Sequence, residues 1–144
     1  MMIIEQIVTS FIASAAFGIL FNAPKRSLLL CGFIGTVGWI VYVLLGFTSS
    51  TTVLSTLTST FVIGLISLVA AKIYKTPVII FSVAGIIPLV PGGMAYDAMR
   101  RFVENDYNTA LQLAAQAFLI SGSIAIGLVL SEVLNQMIRK VRTS

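Results

Sequence analysis

"GIIPLVPGGMAYDAMRRF", residues 85–102, breaks an uncharged apolar run with two prolines and a glycine pair, then sets an aspartate and two arginines beside the break. Pro88 and Pro91 each remove a backbone donor and clash with the preceding turn. Gly92 and Gly93 permit backbone angles that other residues resist. The stretch is therefore predicted to split one helix into a half-helix over 77–87 and a second short helix over 93–103. At 1.5 Å per residue the first piece rises only about 16 Å, roughly to the middle of a bilayer.

A bilayer is what the rest of the chain demands. Of its 144 residues 58% are hydrophobic and 10% charged, with a mean hydropathy of +1.03. A soluble domain of this size needs a far more charged surface. The charges are also clustered: residues 6–24, 27–71, 76–96 and 107–131 carry none. A spanning helix needs about 20 apolar residues, so the run 27–71 holds two spans if it turns at "GFTSSTT". The chain reads as a single all-α transmembrane domain, residues 1–144, with about five transmembrane helices. The spans fall at 4–21, 27–46, 52–71, 77–103 (the broken one, interrupted at Pro-x-x-Pro-Gly-Gly) and 107–134. Pro77 suits the first helical position of the fourth span. The first segment lacks a basic leader region and reads as a retained span.

The net charge of +4 does not point to nucleic acid. The cations flank apolar segments, as the positive-inside rule expects. With the N-terminus outside and five crossings, Lys25, Arg26, Lys72, Lys75, Arg139, Lys140 and Arg142 lie inside, against Arg100 and Arg101 outside. If 77–103 instead re-enters, six cations lie inside and three outside. The first arrangement is favoured: a multi-pass protein of the cytoplasmic membrane, N-terminus outside, C-terminus cytoplasmic.

Small and weakly polar residues share faces along the spans: Ser10, Ser14 and Gly18; Gly35, Gly38 and Tyr42; Thr56, Thr60, Gly64 and Ser67; Gln112, Gln116, Ser123 and Gly127. Close helix packing explains the small ones. The carboxamides of Gln112 and Gln116 should face protein or water, since lipid leaves them unpaired.

A broken helix in hydrocarbon must find partners for its freed backbone groups. Transporters use such ends to hold solutes, N–H groups toward anions and carbonyls toward cations. Here the carbonyls near Ile86 and Ile87 and the N–H groups near Gly93 and Met94 suit a solute bearing both charges; a plain proline kink is the alternative. Tyr96 offers a hydroxyl or is an interface tyrosine. Asp97 either pairs with Arg100 or Arg101 or serves as a proton or ammonium site. Glu132 falls near the cytoplasmic end of the last span.

Catalysis is not expected. The chain has no histidine and one cysteine, Cys31, inside an apolar run. Nothing supplies a nucleophile with a base or a pair of carboxylates, and no metal or cofactor is implied.

The segment "TPVIIFSVAGIIPLVPGGMAYDAM" resembles the signature of the threonine/serine exporter family, specifically its small-subunit-like C-terminal transmembrane domain. The resemblance rests on Pro77, Ala84, Ile87, Pro88, Pro91, Gly92, Gly93 and Tyr96. "FGILFNAPKRSLLLCGFIGTVGW" is similar to the family's first loop and second span, through Phe17, Phe21, Asn22, Pro24, Gly35 and Trp39. Residues 7–135, nearly the whole chain, fit the family's order of spans. The resemblance implies a proton-driven secondary exporter of small hydroxy amino acids, with a dicarboxylate such as succinate the substrate in some relatives. It implies too that a chain with only this half works beside a larger membrane subunit. A non-transporting accessory subunit and a homo-oligomeric channel are the rival roles. No span carries a polar stripe dense enough to line a wet pore by itself.

Overall fold

The computed structural model describes residues 2–48 and 51–143 and is all helical over them. Helix α1 spans Met2–Leu20, α2 Leu28–Phe47, α3 Thr52–Tyr74, α4 Val78–Ile86, α5 Gly92–Val103 and α6 Tyr107–Thr143. Short 3₁₀ turns cover Lys25–Ser27 and Ile87–Leu89. Among the described residues, four helices are long and apolar enough to cross a membrane, and a fifth span results if α4 and α5 count together. The chain is a multi-pass membrane protein.

Three helices stop in the same way. Asn22, Lys75 and Asn105 adopt left-handed backbone, with φ of 57°, 54° and 66°. The next N–H in each case turns back onto the helix: Ala23 to the Gly18 carbonyl at 2.9 Å, Thr76 to Ala71 at 3.2 Å, Asp106 to Arg101 at 2.9 Å. This closure satisfies carbonyls that a helix end leaves open. Two helix starts, those of α3 and α6, use side chains: Thr51 Oγ1 accepts from the Leu54 N–H at 3.3 Å, and Asp106 Oδ1 from the Thr109 N–H at 3.4 Å.

The packing is that of a protein in lipid. Phe81, Ile34 and Ile63 are fully buried at its centre, yet most other buried positions are small or hydroxylic. On α3 they include Ser55, Thr56, Ser59, Thr60, Gly64 and Ser67. Thr56, Thr60 and Ser67 donate to the carbonyl four residues earlier, at 2.8, 2.7 and 2.7 Å, so their hydroxyls need no other partner. Large apolar side chains such as Leu29, Phe33, Phe118 and Ile126 point outward. Without water to drive association, small residues let backbones approach closely. Gly127 of α6 shows this: a Cβ there would meet the Leu57 carbonyl at 2.9 Å and the Phe61 nitrogen at 3.1 Å.

The small-residue faces of α1, α2 and α3 are buried as the sequence predicts, with Tyr42 half-buried. The last stripe divides: Ser123 and Gly127 are buried, whereas Gln112 and Gln116 are exposed. The reason is register. Ser131 lies against Gly64, Gly127 against Leu57–Phe61, and Ile120 borders a cavity with Thr52 and Val53 at the start of α3. Residues 107–119 therefore run on past α3 by about 20 Å, accompanied by α5. The end of the last helix also differs from expectation. It continues beyond 134 to Thr143, because Asn135–Arg142 contains no glycine or proline and its Arg and Lys residues are good helix formers.

Candidate functional site

The interruption lies between α4 and α5. Pro77 precedes α4 rather than opening it, with ψ of 139°, and the helix begins at Val78. Gly85 packs against Ile34 and Ile63, halfway along α3, so α4 ends inside the bundle. The 3₁₀ turn at Ile87–Leu89 holds Pro88, and Pro91 stands before α5. The two helical pieces, Val78–Leu89 and Gly92–Val103, bend through 52°.

The carbonyls of Ile86 and Ile87 are not free for a ligand: both accept from the Val90 N–H, at 3.2 and 3.3 Å. The 3₁₀ turn tightens the helix end enough for one donor to reach both. The start of α5 is different. Gly92 donates to the Val90 carbonyl at 2.9 Å and Ala95 to Pro91 at 3.0 Å. Among the described residues, the N–H groups of Gly93 and Met94 have no partner. Neither glycine has positive φ, so their backbone is one that other residues adopt readily. What sets them apart is space: nothing lies within 4 Å of a Cβ built at either.

A cavity lies on each side of the break. On one side, Pro88 borders a space of about 240 Å³ with Gln6, Thr9, Ser10, Ala13 and Trp39. The indole N–H of Trp39 donates to Gln6 Oε1 at 3.2 Å, tying α2 to the start of α1. On the other, Met94 borders a space of about 270 Å³ with Thr52, Val53, Gln116, Leu119 and Ile120. The structure thus brings Gln116 to the break, while Gln112, one turn earlier, lies on the overhang of α6.

Tyr96 is exposed on α5. Asp97 faces Arg100 at 4.0 Å and belongs to a chain of half-exposed ion pairs: Arg100 meets Glu104 at 3.9 Å, and Arg101 meets Glu104 at 3.7 Å and Asp106 at 4.0 Å. Such exposed pairs contribute about 0–1 kcal/mol each. Asn22 and Pro24 shape the loop after α1, the first as its left-handed end and the second as the residue before the 3₁₀ turn. Glu132 accepts from Gln136 at 3.3 Å. Gln6, Thr9 and Ala13 were not singled out by sequence; the signal available was the uncharged polarity of Gln6 and Thr9 at helical spacing beside Ser10.

A family model described as "Threonine/Serine exporter, ThrE" matches residues 6–134. An uncharacterized protein of Haemophilus influenzae (strain ATCC 51907 / DSM 11121 / KW20 / Rd) is 32% identical over 93 residues, covering 65% of this chain and 31% of that protein. The matched region is thus less than a third of the relative's own length. No solved structure matches the chain.

Proposed function

This chain belongs to the threonine/serine exporter family, and on that premise we propose that it is the small, C-terminal-type membrane subunit of a secondary exporter of small polar metabolites, threonine and serine first among them. It is a transport protein and not an enzyme. The observation that carries the reading is the interruption at Pro-x-x-Pro-Gly-Gly. It leaves the N–H groups of Gly93 and Met94 without a partner among the described residues, with open space beside Gly93, next to a helix end that lies within the bundle. In this reading α4 and α5 form one broken span, the N-terminus is outside, and a solute carboxylate meets the start of α5, where the helix dipole favours negative charge.

A larger membrane subunit completes the path. Two features support it. The carboxamides of Gln112 and Gln116 are exposed on an apolar helix, where lipid would leave them unpaired. The segment 107–119 and α5 also overhang the rest of the bundle, offering apolar surface at Met99, Phe102, Leu111 and Phe118. The test is efflux of preloaded threonine, serine and succinate from cells making this chain, a larger member of the family, or both. Efflux of the amino acids only when both are made is the expected result. Equal efflux from the larger protein alone would make this chain an accessory, and succinate efflux alone would reassign the solute.

A further inference from the structure

We infer that the groove between α4 and α6 receives a membrane helix of another polypeptide, and that this helix carries a lysine or arginine which pairs with Glu132 inside the bilayer. The inference rests on the larger-subunit reading for the partner's identity, but on this chain's own charges for the contact. Helices α4 and α6 both pack on α3. They leave between them a space of about 300 Å³, bordered by Leu68, Val78, Ile79, Ser82, Val129 and Glu132 among others. It is open and mostly apolar, as a seat for a helix in lipid is. Its edges are bare: Ile79 is 70% exposed and Val129 60%.

Glu132 lies deeper than its place in the sequence suggests. By sequence it falls near the cytoplasmic end of the last span. In the structure its neighbour Ser131 packs against Gly64, which stands in the middle of α3, Thr52–Tyr74. From Gly64 to the end of α3 is about 15 Å of helix. The carboxylate therefore stands about half a hydrocarbon thickness from either surface. Charged groups at that depth are costly, and they pair with one another or line water.

This chain supplies no counter-charge. Of its five acidic residues, Glu5 lies in the first turn of α1. Asp97, Glu104 and Asp106 pair with Arg100 or Arg101 around the turn between α5 and α6. Glu132 makes no ion pair among the described residues. Gln136 donates to its Oε1 at 3.3 Å, and its Oε2 has no partner among them. Lys72 is the nearest cation on α3, and it donates instead to Asn135 Oδ1 at 3.2 Å. All nine cations lie at or near helix ends, so a second copy in the same orientation offers none at this depth. Lipid headgroups lie at the surface, about 15 Å away. A cationic side chain on a different membrane protein is the occupant that fits.

The test is capture. The tagged chain is made together with a larger member of the family and captured in mild detergent, and the larger protein retained per chain is measured. Glu132→Gln, Glu132→Lys and the control Glu104→Gln are compared with the native chain. The native chain and Glu104→Gln should retain it equally. Glu132→Gln, of nearly the same shape, should weaken retention at least about tenfold, as expected when one member of a buried charge pair is removed. Glu132→Lys should abolish it, and reversing the matching lysine or arginine within a span of the larger protein to glutamate should restore it. A photoreactive amino acid in place of Val129 should cross-link to the larger protein, which keeps the test intact if a Glu132 variant fails to fold. Equal retention by Glu132→Gln, no restoring reversal, or adducts at position 129 to lipid or a second copy alone would overturn the inference and leave the two-subunit reading standing. No retention by the native chain would overturn that reading, and the inference with it.

Discussion

The indole N–H of Trp39 donates to the side-chain oxygen of Gln6 across 3.2 Å, joining two helices beside Pro88. Interhelical hydrogen bonds in membranes average about 0.6 kcal/mol and reach about 1.7. Trp39→Phe and Gln6→Leu should each lower stability in detergent by an amount in that range plus the lost packing. The double variant should lose less than their sum, because replacing both partners leaves no unpaired polar group. Thermal denaturation of the four proteins measures the coupling.

Gly127→Ala should be more damaging than most glycine substitutions here. The added Cβ meets the backbone of Leu57 and Phe61 at 2.9 and 3.1 Å, and backbone cannot swing aside. Overpacking of this kind costs about 1–3 kcal/mol. A lower melting temperature and weaker protection of α3 and α6 in hydrogen exchange are expected. Gly122→Ala, with nothing within 4 Å, should leave both unchanged.

Gly93→Val should separate folding from transport. Its backbone is not left-handed and no atom of the chain lies within 4 Å of the new Cβ, so insertion and thermal stability should match the native protein. Efflux should fall at least about tenfold, as expected when a backbone N–H contact to a carboxylate is blocked. Protein level and efflux rate in the same cells provide the check.

Asp97→Asn removes a half-exposed partner of Arg100 at 4.0 Å. The change in stability should stay below about 1 kcal/mol, and the pH profile of efflux should not move. A shifted profile would make Asp97 a proton-carrying group instead.

A reporter fused after Ser144 should be active only in the cytoplasm, since Arg139, Lys140 and Arg142 flank the last span. Activity outside the cell would reverse the orientation.

Much of the architecture was legible because charge is so scarce. Lys25-Arg26, Lys72 with Lys75, and the turn at Glu104–Asp106 mark helix ends within a few residues, and Pro88 and Pro91 mark the interruption. Local chemistry also announced the half-exposed pairing of Asp97 with Arg100, three residues apart. What the sequence withheld depends on register between distant segments. Gln6, Trp39 and Pro88 meet only because α1, α2 and the 3₁₀ turn converge. The exposure of Gln112 follows from how far α6 slides past α3, which no pattern within α6 encodes. The carbonyls of Ile86 and Ile87 looked available because proline removes donors; the 3₁₀ turn instead lets the Val90 N–H reach both.

The central claim is that the interrupted helix meets the transported solute from water. A cysteine introduced at position 93, with Cys31 replaced by alanine, tests this in cells that export threonine. A membrane-impermeant maleimide should label it from outside, and threonine or serine should slow the labelling. An exporting protein whose residue 93 stays unlabelled, or labels at the same rate with solute present, would contradict the account.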